Sequence, residues 1–148
     1  MLTRRPSHDG APRVDYELTE RGMQLLPVVG ELARWGYRWA WGVPREAEAI
    51  DVGAILRIAP GLMRPPADVA AVVELAVDDA GATAHFTLTI SDGRVAIAER
   101  RAAEADARVS GSQHDWIAAL KPSPDRAGLC IEGDDRLASM VLALLSPT

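Results

Sequence analysis

The chain has 148 residues, of which 48% are hydrophobic and 25% charged, with a formal net charge of −5. Such a length suits one ordinary domain or two small units, and such a composition excludes an intrinsically disordered chain. One cysteine, Cys130, excludes an internal disulfide framework and fits a reducing cytoplasm, while no apolar run approaches the ~20 residues of a membrane span, so a cytoplasmic protein with no membrane contact is expected.

From the N-terminus, Val14, Tyr16 and Leu18 alternate with Arg13, Asp15 and Glu17, the period of a half-buried strand. Asp9-Gly10 is a turn dipeptide, so residues 2–18 are expected to form a β-hairpin whose tip carries Arg4, Arg5, His8 and Arg13. Thr19 stands at a helix N-cap, Glu20 favours the positive end of the helix dipole, and Leu18 and Met23 have the spacing of a hydrophobic staple. The helix is predicted to run through "ERGMQLLPVVGELARWGYRW" with an apolar stripe of Met23, Leu26, Val29 or Gly30, Ala33 and Trp35 or Tyr37. Pro27 falls inside it, and an interior proline predicts a bend. Trp35, Tyr37, Trp39 and Trp41 crowd its end, a density that serves either an intrachain contact or a dimer interface.

"GVPREAEAID" breaks the pattern as a linker, and "VGAILRIAPGLMRPP" offers a short helix ended by Pro60-Gly61. Three strand-like runs come after it, "VAAVVELAVDD", "ATAHFTLTIS" and "RVAIAER", separated by the turns "DAG" and "SDG", which predicts an antiparallel meander with Phe86, Leu88 and Ile90 inward. "ADARVSGS" supplies a fourth strand and Ser112 caps a helix "QHDWIAALK". "LCIEG" is a short final strand, and Asp134 caps the terminal helix "DRLASMVLALL". Segregated strands and helices of this kind define an α+β layer with helices on one face of a small antiparallel sheet.

The catalytic motifs are missing: there is no glycine-rich phosphate loop, no H-E-x-x-H and no paired cysteine, so no enzyme is expected. Ser112, His114 and Asp115 share one helical turn and point in different directions, whereas a triad must converge in space. "EGDD", with Glu132, Asp134 and Asp135, has too few suitably spaced ligands for a metal and is better explained as a turn and N-cap. No cofactor or metal is expected. Cys130, between Leu129 and Ile131, is expected as a buried small hydrophobe. Residues 1–45 hold seven Arg against five acids, whereas the remainder holds nine bases against sixteen acids, which puts any polyanion contact at the front of the chain.

The segment "VDYELTERGMQLLPVVGELARWG" resembles the end of the winged-helix domain of HxlR-type bacterial transcriptional regulators. The residues that carry the resemblance are Tyr16, Leu18, Thr19 and Gly22, then Leu25, Leu26, Pro27 and Val28, then Trp35 and Gly36. It implies that residues 1–44 are a wing hairpin and the C-terminal helix of a partial winged-helix domain, and that Arg4, Arg5, His8 and Arg13 contact DNA phosphates or the minor groove. In that family about three helices precede the wing, so the resemblance implies an N-terminally truncated chain whose intact form binds operator DNA as a homodimer. Residues 45–148 resemble the sterol carrier protein fold through "AHFTLTISDGRV", "DARVSGSQHDWIAAL" and "CIEGDDRLASMVLALL". The implied role is sensing an apolar small molecule, with Phe86, Leu88 and Trp116 as pocket residues. A carrier-type binding module without DNA binding is the alternative.

Overall fold

The structure, a computed structural model, describes residues 2–6, 14–40, 42, 50–79 and 81–146. It opens on a hairpin of β1 (Leu2–Pro6) and β2 (Val14–Leu18), paired antiparallel with Arg4 opposite Tyr16 and Arg5 opposite Asp15. The predicted Asp9-Gly10 tip lies outside the described residues.

Thr19 is the N-cap at the end of the hairpin: its side chain accepts the Gly22 N–H at 3.2 Å. The long helix expected from residue 20 is two helices, α1 (Glu20–Met23) and α2 (Leu26–Trp39), and Pro27 occupies the first turn of the second. A proline has no N–H to give, and in a first turn none is required, so the chain restarts its helix there instead of bending an existing one. Leu18 and Met23, the expected staple pair, are both exposed.

A restart of the same kind occurs at Pro60. Asp51 caps α3 (Val52–Arg57) by accepting the Ala54 N–H at 2.9 Å, and Pro60-Gly61 then lies inside a further short helix, α4 (Ala59–Leu62), where it was expected to end one. α2 packs across α4. Gly30 and Gly61 form the crossing point, because a Cβ on Gly30 would overlap the Gly61 carbonyl and one on Gly61 would overlap that of Leu26.

The meander forms as its alternation dictates: β3 (Ala71–Asp79), β4 (Ala82–Ser91) and β5 (Arg94–Ala98) pair antiparallel. Asp92 and Gly93, both at positive φ, make the two-residue turn between β4 and β5 that matches the twist of paired strands. The next strand, β6 (Ala107–Ser112), corrects the all-antiparallel expectation, since it lies parallel to β3 on its far side. It can do so because residues 99–106 cross the sheet before the strand begins. After α5 (Gln113–Leu120), β7 (Cys130–Gly133) pairs antiparallel with β6, and α6 (Asp135–Leu145) ends the fold under an Asp134 cap that accepts two backbone N–H groups. The sheet order is β5-β4-β3-β6-β7.

Helices α3 to α6 cover one face of this sheet. Val73, Leu75 and Val77 of β3, Phe86, Leu88 and Ile90 of β4 and Val109 of β6 meet Leu56, Trp116, Val141 and Leu142 in a single core. Trp116 is fully buried, and its indole N–H donates to the Ala76 carbonyl at 2.8 Å. Cys130 corrects another expectation, being exposed. It belongs to the edge strand β7 of the sheet, so an apolar sequence neighbourhood does not bury it.

Candidate functional site

Helix α2 presents two apolar faces. Leu26, Gly30, Ala33 and Tyr37 recur at helical spacing and turn toward the helices that cover the sheet, with Gly30 buried and the others half-buried. The Arg34 guanidinium donates to the Leu62 carbonyl and pairs with Glu31, adding a polar anchor beside the Gly30–Gly61 contact. Leu25, Val28, Leu32, Trp35 and Trp39 make the second face, all exposed, with Leu32 at 66% and Trp39 at 72%. Their spacing alternates three and four residues, the seam spacing of a coiled coil.

Beyond the glycine contact, α2 roofs an apolar cleft of about 140 Å³ lined by Ala33, Tyr37, Ile55, Ile58, Leu62, Leu120 and Leu145. Five helical elements meet there, two residues from α2 and the rest from α3 to α6 and their junction. Tyr37 brings its only hydroxyl. Burial pushes the phenol above its ordinary value, while hydrogen bonding to Ser146 and the nearby Arg126 charge pull it back.

A polar cluster occupies the opposite face of the sheet. Glu74 is 2% exposed, and its carboxylate accepts the Ala102 N–H at 2.9 Å and lies 3.1 Å from His85 Nδ1, 3.6 Å from Arg101 Nε and 3.8 Å from Arg108 Nε. Asp78, Thr83, Ser110 and Glu132 complete a depression of about 360 Å³ around it. Three carboxylates, two guanidinium groups and an imidazole gather there. The arrangement clamps residues 99–106 onto the sheet, a job Thr87 shares by donating to the Arg100 carbonyl at 2.8 Å.

Ser112, His114 and Asp115 do not converge. Asp115 accepts the Ser112 hydroxyl at 2.5 Å and backbone N–H at 3.1 Å, and the Ser112 oxygen accepts the Asp115 N–H, which is a capping box; His114 is exposed. The Ser112 hydrogen bonds hold the Asp115 carboxyl below its ordinary value. Among the described residues no three His, Cys, Asp or Glu side chains gather as a metal site, and no helix is long and apolar enough to cross a membrane.

Of the residues singled out in the sequence, Arg4 and Arg5 lie on β1, and His8 and Arg13 fall outside the described residues. Phe86, Leu88 and Trp116 are packed in the core; the Arg57 guanidinium stands 5.8 Å from the Phe86 ring centre. Arg57 is itself held more firmly protonated by its hydrogen bond to Glu99. The cleft residues were missed because both faces of α2 are apolar in sequence, and only the partner helix decides which one turns inward. The i, i+4 pair Ala33 and Tyr37 flanking Arg34 was the available signal.

A five-stranded sheet with helices on one face and a short hairpin-helix unit before it is an α+β architecture, and its sheet-and-helix part is similar in fold to sterol carrier proteins. Palmitated SCP2L2 of Aedes aegypti matches with a TM-score of 0.52 and 16% identity over 65% of this chain and 92% of that one. Sterol carrier protein domain 2 of Helicoverpa armigera gives 0.50 and 15% over 70% and 92%. A stereoselective inverting sec-alkylsulfatase of Pseudomonas sp. gives 0.52 and 15% over 88% of this chain, which spans 22% of that enzyme. At identities this low the superpositions show likeness of fold alone. Residues 1–42 match the HxlR-like helix-turn-helix family. No curated protein sequence matches the chain.

Proposed function

We propose that this chain carries the wing and last helix of a bacterial, cytoplasmic HxlR-type transcriptional regulator, followed by a sterol-carrier-like unit that senses an apolar small molecule. The units divide at 1–44 and 45–148. In this reading the intact domain binds operator DNA, Arg4, Arg5, His8 and Arg13 hold the wing to phosphates or the minor groove, and neither unit is an enzyme. The observation that carries it is the coincidence of the HxlR-like match over residues 1–42 with an antiparallel hairpin, a Thr19 cap and a proline-started helix. The exposed seam Leu25, Val28, Leu32, Trp35 and Trp39 supports a homodimer built through α2.

The ligand-facing role expected of Leu88 and Trp116 requires the sheet and helices to part, because both are buried in the core, whereas Phe86 also borders a depression of about 300 Å³ beside α3. A carrier module without DNA binding is the second reading, favoured by the sterol-carrier fold itself. One titration separates them: binding to random duplex DNA at rising salt, by this chain and by a version extended through the in-frame upstream codons. Regulator function gives an extended form that binds and loses affinity steeply with salt. Absence of binding by both forms removes the regulator reading and leaves the carrier module.

A further inference from the structure

The cleft beneath α2 has a composition and a size that restrict its occupant. Ile55, Ile58, Leu62, Leu120 and Leu145 present only hydrocarbon, and the Tyr37 hydroxyl is the one polar side-chain group among the lining residues. A buried water requires two to four polar partners, which this lining does not offer, whereas an aliphatic cavity of about 150 Å³ stays dry and admits benzene. The cleft is half open to solvent, and its volume of about 140 Å³ gives room for the buried part of an occupant of that size. Pockets for drug-sized ligands run to ~300–1,000 Å³, so a sterol or a long acyl chain exceeds it.

The walls belong to different parts of the chain. Ala33 and Tyr37 come from α2, directly after the hairpin unit, and the other lining residues come from the helices that cover the sheet. α2 touches those helices most closely at Gly30, where its backbone meets Gly61, and Arg34 is anchored on the Leu62 carbonyl one turn later. Ala33 and Tyr37 lie further along the same face. A molecule inserted between them and Leu120 or Leu145 therefore acts on the C-terminal half of α2, beyond a backbone contact that cannot compress.

We propose that this cleft binds one small apolar molecule, of the size of a single aromatic ring or a short branched chain, and that its occupancy sets how α2 lies on the sterol-carrier-like unit. A ligand shifts such an equilibrium only by its differential affinity for the two poses of the helix. Filling the space between α2 and the covering helices provides that difference, because the lining gains dispersion contacts in one pose and loses them in the other. The consequence for DNA rests on the proposed regulator function; the binding and the helix response do not.

The test is a titration of the full chain with benzene, following isoleucine and leucine methyl groups and backbone amides by NMR. Expected are saturable shifts at the methyls of Ile55, Ile58, Leu62, Leu120 and Leu145 together with the amides of residues 30–39, and their loss in Ala33→Phe, which fills the cleft. Should that variant fail to fold, Ala33→Leu serves with a partial loss. Shifts that do not saturate, that survive the filling variants or that centre elsewhere overturn the site. Methyl shifts without movement of the α2 amides overturn the coupling, and palmitate competing for the same methyls overturns the size limit. Failure of the regulator reading shows only in the DNA titration and leaves benzene binding intact.

Discussion

Gly30 of α2 and Gly61 of α4 meet backbone to backbone, and each would drive an added Cβ into a carbonyl of the other helix. The contact joins the hairpin-bearing part of the chain to the sterol-carrier-like unit. Gly30→Ala is expected to push the helices apart and cost about 1–3 kcal/mol, the range for overpacking a close contact. Helix propensity works the other way, since Ala exceeds Gly by ~1 kcal/mol in a helix interior. Urea unfolding of the variant decides between them: a stabilised Gly30→Ala would mean that the helices do not cross this closely.

The outer seam of α2 leads to a prediction about assembly. Leu25, Val28, Leu32, Trp35 and Trp39 leave a continuous apolar stripe in water, which a monomeric surface rarely tolerates. Leu32→Glu places a charge at its centre and faces away from α4, so the fold is expected to persist while self-association is lost. Sedimentation velocity of both proteins over a concentration series is the measurement. A wild-type chain that stays monomeric throughout removes the dimer.

Ser112 and Asp115 make a reciprocal cap at the start of α5. Ser112→Ala is expected to cost about 1 kcal/mol at neutral pH, within the range measured for N-cap serines. The folded-state Asp115 carboxyl lies below its ordinary value, chiefly through the Ser112 side chain. Its stabilisation is therefore present above the unfolded value of ~3.9 and disappears as pH falls through the folded value. The gap between variant and wild type should narrow below pH ~4, which thermal melts from pH 7 to 2 will register.

Much of this fold was legible because its signals are local. Thr19, Ser112 and Asp134 all accept the backbone N–H groups that an N-cap should, and the inward set Phe86, Leu88 and Ile90 follows from alternation alone. The misread features depend on partners distant in sequence. Pro27 and Pro60 disrupt a helix in either case, but whether the chain bends, stops or restarts is decided by packing of α2 on α4. The parallel pairing of β6 with β3 needs the crossing of residues 99–106, which carries no periodic pattern. Cys130 has apolar neighbours in sequence, yet an edge position exposes it. For the cleft, Ala33 and Tyr37 were visible as part of a stripe, and the seven residues that line it converge only after five helical elements are placed.

Trp116 shows how a core aromatic with a polar atom is locked in place. Its ring fills the space under β3 and its N–H satisfies the Ala76 carbonyl at 2.8 Å. Trp116→Phe keeps most of the apolar volume but leaves that buried carbonyl without its side-chain donor, a loss of about 1–3 kcal/mol. Trp116→Ala adds a cavity and should cost ~3–5 kcal/mol. Equal destabilisation by both variants would mean that the hydrogen bond dominates over packing; equilibrium denaturation of the pair measures the split.

Glu74 has the opposite problem, a carboxylate placed where water is nearly excluded. It is held by the Ala102 N–H, His85, Arg101 and Arg108, so removing it leaves a backbone donor and three basic side chains without their shared partner. Loss of one member of a buried charged cluster costs several kcal/mol, about 3–5. Arg101 and Arg108 are well exposed and can turn to solvent, which lowers the penalty toward the bottom of that range. The local effect should exceed the global one. Residues 99–106 are fastened to the sheet at Ala102 and through the Thr87 bond to the Arg100 carbonyl, and Glu74→Ala removes the first of these. Trypsin should then cut after Arg100 and Arg101 faster than in the wild type, at conditions where both proteins remain folded by circular dichroism. Unchanged cleavage at these two sites would mean that the segment's other bonds, from Thr87 to the Arg100 carbonyl, from Arg57 to Glu99 and between Asp106 and Val72, hold it without help from Glu74.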